Sequence, residues 1–188
     1  MAAPDGDRQL VARVLAGEPD AFRPLVERVG PSVVRAARRI LADELEAEDV
    51  AQEAFVIAYR SLADWRGEGA FGAWVGRIAV RLAVRRAARR RTVGWIAHDE
   101  AAVPLHASED RAEDPAVSIV RGDRAARLRA AVVGLDEPYR EVVALRFFGD
   151  RTLEEIATVT GRPLNTVKTH LRRGLQRIRI ALDREDLA

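Results

Sequence analysis

Apolar residues at three- and four-residue steps run through most of this chain, and that pattern limits it to packed helices. Phe22, Leu25, Val26, Val29, Val33, Ala36, Ala37, Ile40 and Leu41 form one such stripe, the spacing of a helix with a single buried side. Gly30 followed by Pro31 predicts a stop that divides this stretch into two helices. Val50, Ala54, Phe55, Ala58 and Leu62 predict a further helix over about residues 46–62. Beyond Gly67 and Gly69, residues Phe71, Trp74, Val75, Ile78 and Leu82 predict the inner face of another. The pattern fails between about residues 92 and 116, where Ala, Asp and Glu dominate and Pro104 and Pro115 intervene. Trp95 and Ile96, the one large apolar pair there, are expected to dock on a neighbour. Helical periodicity returns at Val117. The expected fold class is therefore all-α, with two helical domains (1–91 and 117–188) joined by a flexible acidic linker, 92–116.

Charge divides the chain further. The formal net charge of the 188 residues is only +2, yet the signs are segregated. Residues 43–53 hold six acids and no base, and residues 77–91 hold seven arginines and no acid. Residues 92–120 return to six acids against Arg111, and residues 162–179 carry five arginines plus Lys168, the only lysine, without an acid. Such blocks are either solvated helix faces or surfaces for polyanions and for a basic partner. The absence of cysteine excludes disulfides, thiol catalysis and cysteine-ligated metal, and fits a reducing cytoplasm. Met1 to Leu10 is polar and acidic, unlike a secretory signal. No run approaches the roughly 20 apolar residues of a membrane span.

The second half carries a constellation of its own. Thr152-Leu153-Glu154-Glu155 has the spacing of a capping box. A short helix with Ile156, Ala157 and Val159 should follow, end at Gly161, and give way near Pro163 or Leu164 to a longer one running past Ile178. A small residue at the helix crossing (Ala157), a glycine in the turn (Gly161) and a branched apolar residue on the second helix (Val167) match a helix-turn-helix. Val167, Leu171 and Leu175 are expected to face inward, leaving Lys168, Thr169, Arg172 and Arg173 outside. Arginine pairs bidentately with guanine in the major groove, and threonine can bond a base or touch a thymine methyl. The competing reading is a helical hairpin with a basic outer face. His170 is expected to lie on the surface or against a phosphate; with His98 and His106 in the linker, no metal site is expected.

In the first half, Asp49-Val50-Ala51-Gln52-Glu53-Ala54-Phe55 places Asp49, Gln52 and Glu53 on one exposed helical face. Downstream, Arg66-Gly67-Glu68-Gly69-Ala70-Phe71 reads as a flexible loop leading into Trp74-Val75-Gly76-Arg77-Ile78-Ala79 and an arginine-rich helix end. Here the chain resembles bacterial RNA polymerase sigma factors of the extracytoplasmic-function group. Leu135-Asp136-Glu137-Pro138-Tyr139-Arg140-Glu141-Val142-Val143-Ala144-Leu145-Arg146-Phe147-Phe148 is similar to that group's helix ahead of its helix-turn-helix. The likeness covers roughly residues 8–91 and 117–180.

The resemblance implies a non-catalytic promoter-specificity subunit without a cofactor. It implies that Asp49, Gln52 and Glu53 dock on the clamp helices of the polymerase's largest subunit, where carboxylates and an amide can meet arginines. Acids complementing a helix dipole are the plainer account of Glu46 and Glu48. It implies that the Arg66–Ala70 loop, with Arg66 and Gly67, and the following helix read and open the minus-ten element. Arg77, Arg81 and Arg85, one turn apart, would track phosphates of the non-template strand. Many members carry asparagine where this chain has Arg81. Trp74 is expected in the core, and Trp65 either there or as a stacking platform. The resemblance further implies that Lys168, Thr169, Arg172 and Arg173, with Thr166 on a phosphate, bind the minus-thirty-five element. An anti-sigma protein is an implied partner.

Two other classes compete with this reading. Thr166-Val167-Lys168-Thr169-His170-Leu171 also resembles response-regulator output domains, but the first 90 residues lack the alternating strands of a receiver. An enzyme would have to use acids 43–53, which lie on and before one exposed helix with no histidine, nucleophile or phosphate loop nearby.

Overall fold

The computed structural model describes residues 5–92 and 115–185. It contains α1 (Asp5–Leu15), α2 (Arg23–Leu41), α3 (Glu44–Arg60), α4 (Phe71–Thr92), α5 (Pro115–Val133), α6 (Tyr139–Phe147), α7 (Leu153–Thr160) and α8 (Leu164–Glu185), with short 3-10 turns before α2 and after α3. No strand occurs among the described residues, and none of their helices is long and apolar enough to cross a membrane. The expectations for Trp95, Ile96, His98 and His106 fall outside these residues.

Helices α2, α3 and α4 pack on one another, with α1 against α2. Helix α2 corrects the expected break at Pro31: it runs unbroken, with Pro31 inside it and Pro24 in its first turn. Pro24 costs little, because a first-turn N–H has no helical partner anyway. Pro31 forfeits a hydrogen bond and introduces a clash, together about 3 kcal/mol in a helix interior. Its ring lies on the exposed side, while Leu25, Val29, Val33, Ala36, Ala37 and Ile40 are buried on the other. That burial, at about 1.5–3 kcal/mol for each large side chain, outweighs the proline.

Helix α3 starts at Asp43, whose carboxylate accepts from the Glu46 N–H at 2.9 Å. The first turn of α4 is capped from a distance: Asp7 of α1 accepts from the Phe71 N–H at 3.2 Å. Phe71 is fully buried, edge-to-face with Trp65 (5.6 Å, 89°) and Phe22 (6.1 Å, 90°). Such pairs add roughly 0.5–1.5 kcal/mol beyond their buried area.

The inner face of α4 also differs from expectation. Phe71 and Val75 are buried, but Trp74, Ile78 and Leu82 are only half-buried, whereas Ala79, Val80, Ala83 and Val84 are fully enclosed. The reason is that α4 is covered on two sides, by α2 and α3 on one and by α5, α6 and α7 on the other. Gly72, Ala73, Gly76, Ala79 and Ala83 are small enough to allow both approaches. The buried apolar cluster consequently continues from Val11 through Phe71 and Val80 to Leu145, Phe148 and Ile178.

Polar contacts reinforce this seam between the two halves. Arg39 donates to the Phe148 carbonyl at 3.3 Å and pairs with Asp150. Arg151 donates to the Gly72 carbonyl at 3.1 Å. Arg77 donates to Glu141 at 2.8 Å and to the Val159 carbonyl at 2.5 Å.

Candidate functional site

The helix-turn-helix forms as its sequence requires. Thr152 accepts from the Glu155 N–H at 3.1 Å, and Glu155 accepts from the Thr152 N–H at 2.8 Å. Gly161 ends α7 at φ 67°, a left-handed conformation that glycine adopts without the penalty of a side chain. Val167 is fully buried at the start of α8.

One inward residue of α8 is corrected. Leu175 is 40% exposed; the buried row instead runs Val167, Leu171 (half-buried), Gly174 and Ile178. At Gly174 the helices meet so closely that a β-carbon would come within 2.6 Å of Val143 Cγ2. That glycine contact takes the inward direction and turns its neighbour Leu175 out.

On the outer side of α8, Lys168, Arg172 and Arg173 are exposed, and Thr166 and Thr169 are half-exposed. The Thr169 hydroxyl donates to the Asn165 carbonyl at 2.9 Å, which leaves its oxygen as an acceptor. His170 lies half-buried beside these residues. Its ring stands edge-on to Tyr139 at 5.6 Å. Burial, then the charges of Arg162 and Arg173, hold its imidazole below the ordinary histidine value.

Asp49, Gln52 and Glu53 are all exposed on α3. They are not isolated: Arg86 of α4 lies 3.5 Å from Glu53 and 4.0 Å from Asp49, and Arg90 pairs with Glu46 and lies 3.8 Å from Asp43. The same face holds side chains that sequence reasoning missed. Leu45 is 76% exposed, Val56 49% and Tyr59 45%. The order Leu45, Asp49, Gln52, Val56, Tyr59 advances by four, three, four and three residues, a single stripe along the helix. Polar groups are thus interspersed with exposed apolar ones along this face. The signal was present in the sequence, since Leu45 and Val56 lie off the buried row of Ala47, Val50, Ala51, Ala54 and Ala58.

The Arg66–Ala70 loop is pinned between two buried aromatics, Trp65 and Phe71. Trp65 is thus a core residue, not an open stacking platform. Arg66 and Glu68 point out, and Gly67 lies beneath Arg8 of α1, which donates to its carbonyl at 3.0 Å. On α4, Arg81 and Arg85 are exposed, whereas Arg77 is turned to the second half. They line a groove with Trp74, Ile78, Leu82 and Ile57.

Glu141 is a buried charge at the seam between the halves, accepting from Arg77 at 2.8 Å and Arg162 at 2.7 Å, with Arg81 at 3.9 Å. Burial pushes its carboxyl up; the hydrogen bonds and charges of Arg162 and Arg77 more than reverse this, leaving it below the ordinary glutamate value.

Comparison with known proteins agrees with this arrangement. Residues 25–93 match the family "Sigma-70 region 2" and residues 125–178 match "Sigma-70, region 4". The chain is 36% identical over 187 residues to the RNA polymerase sigma-H factor of Pseudomonas aeruginosa, covering 97% of this chain and 96% of that one. It is 27% identical to the ECF sigma factor SigW of Bacillus subtilis, covering 92% and 94%. Among solved structures it is similar to CnrH in complex with the cytosolic domain of CnrY, with a TM-score of 0.59, 26% identity, and 95% and 97% of the two chains covered. A region-two match in the first half leaves no room for a receiver domain, so the response-regulator reading is not favoured. The chain belongs to the extracytoplasmic-function group of bacterial RNA polymerase sigma factors.

Proposed function

We propose that residues 1–91 dock on core polymerase and open the minus-ten element, that 117–188 bind the minus-thirty-five element as duplex, and that 92–116 tether the two. In this reading the α3 stripe meets the clamp helices of the largest subunit, with Asp49, Gln52 and Glu53 supplying charge-assisted bonds and Leu45 and Val56 supplying apolar contact. Arg66, Arg81 and Arg85 meet the melted strand, and Gly67, buried beneath Arg8, shapes the loop that presents Arg66. Arg77 joins them by exchanging Glu141 and the Val159 carbonyl for a phosphate. Lys168, Thr169, Arg172 and Arg173 enter the major groove, with Thr166 on the backbone. Two weak DNA sites on one chain multiply when the promoter spacing suits them.

The observation that supports this most is the pairing of one exposed acid-and-apolar helix face with one exposed acid-free basic helix face, each on its own half. The chain contributes no catalysis in this reading; bond formation is the polymerase's, and the protein works in the cytoplasm beside it. An anti-sigma protein covering either face is the expected regulator, and recovery of only polymerase subunits on purification from cells would count against it. Mixing the folded protein with core polymerase is expected to give a stable complex that starts transcripts at selected promoters. A folded sample that binds no polymerase would refute the proposal.

A further inference from the structure

Helix α1 carries two side chains without a part in the roles above, and both reach the minus-ten loop. Asp7 is 3% exposed, and both its oxygens are engaged. One accepts from Arg28 of α2 and the other from the Phe71 N–H, where the loop enters α4. Its neighbour Arg8 donates to the carbonyl of Gly67, near the loop's start. One helical turn therefore grips the loop close to both ends.

The loop needs such a grip. Gly67 and Gly69 sit at φ 70° and 85°, and two glycines in five residues give the free segment many alternative shapes. Gly67 lies directly under Arg8: a β-carbon there would stand 2.8 Å from Arg8 Nε, which the flexible arginine could relieve by moving, so the firmer demand for glycine is the positive φ. The grip itself is the hydrogen bond from Arg8 to the Gly67 carbonyl.

We propose that Asp7 and Arg8 are positioning residues for base capture, holding the Arg66–Ala70 loop in the shape that receives an unstacked promoter base. This rests on the assignment of that loop to the minus-ten element. A receptor already in its bound shape loses no ordering freedom when the ligand arrives. Releasing the loop so that about a tenth of molecules hold that shape weakens capture about ten-fold. Arg8 itself is exposed, so its truncation is compatible with a folded protein.

The test uses the full chain bound to core polymerase. The probe is a single-stranded oligonucleotide carrying the non-template minus-ten sequence of a promoter that the wild type starts, alongside versions made abasic at one position at a time. The wild type is expected to prefer the intact strand at one position. Arg8→Ala is expected to bind the intact strand about ten-fold more weakly and the abasic strand equally well, with polymerase affinity unchanged. Arg8→Lys, which still donates toward Gly67, is expected to recover most of the loss. Asp7→Asn keeps an acceptor for the Phe71 N–H and should retain discrimination that Asp7→Leu loses; should Asp7→Leu not fold, the Arg8 variants decide alone. Equal losses on intact and abasic strands would mark Arg8 as a phosphate contact and overturn the proposal, as would no loss at all. A wild type indifferent to every abasic position would instead overturn the assignment of the loop itself.

Discussion

Removing the charge of Glu141 tests both the second domain and its seat on the first. The side chain is 6% exposed and receives one short guanidinium bond from each half of the chain. Hydrogen bonds to charged groups contribute roughly 1.5–3 kcal/mol each. Arg77 and Arg162 are about a quarter exposed, so the low end of that range applies. Glu141→Gln keeps one acceptor and loses the charge, and should cost about 2 kcal/mol. Glu141→Ala leaves two guanidinium groups uncompensated and should cost about 3 kcal/mol. Double-mutant cycles separate the partners: Glu141 with Arg162 reports on the second half alone, and Glu141 with Arg77 reports across the seam. About 1 kcal/mol of coupling is expected across it. Urea unfolding followed by far-ultraviolet circular dichroism and by tryptophan fluorescence measures both. Coupling to Arg77 below about 0.3 kcal/mol, with Arg162 coupling intact, would mean the two halves do not share Glu141 in solution. Loss of both couplings would refute the burial argument.

Three further outcomes are expected. Arg172→Ala or Arg173→Ala should cost about 1–3 kcal/mol at a preferred promoter and relax specificity there; an equal loss on every sequence in a binding titration would mark a phosphate contact. Gln52→Ala with Glu53→Ala should weaken polymerase binding while leaving minus-thirty-five duplex binding intact, and loss of both together would indicate misfolding. Acid should destabilise the fold in two windows: the folded-state values of His170 and Glu141 lie below their ordinary 6.5 and 4.5, so the unfolded chain takes up each proton first. The stability each contributes is full above the ordinary value and is lost as pH falls through it toward the folded one. Denaturation across pH should show Glu141→Gln flattening the lower window alone.

Local chemistry was the most legible part of the sequence. The capping box at Thr152 and Glu155, the turn at Gly161 and the exposed acids of α3 each follow from residues within one or two helical turns. What escaped was decided by distant neighbours. Pro31 reads as a break until the burial of Val29, Val33 and Ala36 is counted against it. Leu175 reads as core until Gly174 is seen meeting Val143 from another helix. Asp7 caps a helix 64 residues away, and no spacing announces such a pair. Arg77 is placed by Glu141 in the same way. At Leu45 and Val56 the signal is present in the sequence, since both are apolar residues off the buried row of α3, but a single exposed apolar side chain carries little information by itself.

The seam between the halves has a property that follows from what its arginines hold. Arg39, Arg77 and Arg151 reach across it to the carbonyls of Phe148, Val159 and Gly72. When the halves part, water can supply each guanidinium with an oxygen and each carbonyl with a proton. Water can do nothing of the kind for the apolar cluster that continues across the seam through Val80, Leu145 and Phe148. The burial of those side chains, and not the exchangeable arginine bonds, is what keeps the two halves seated.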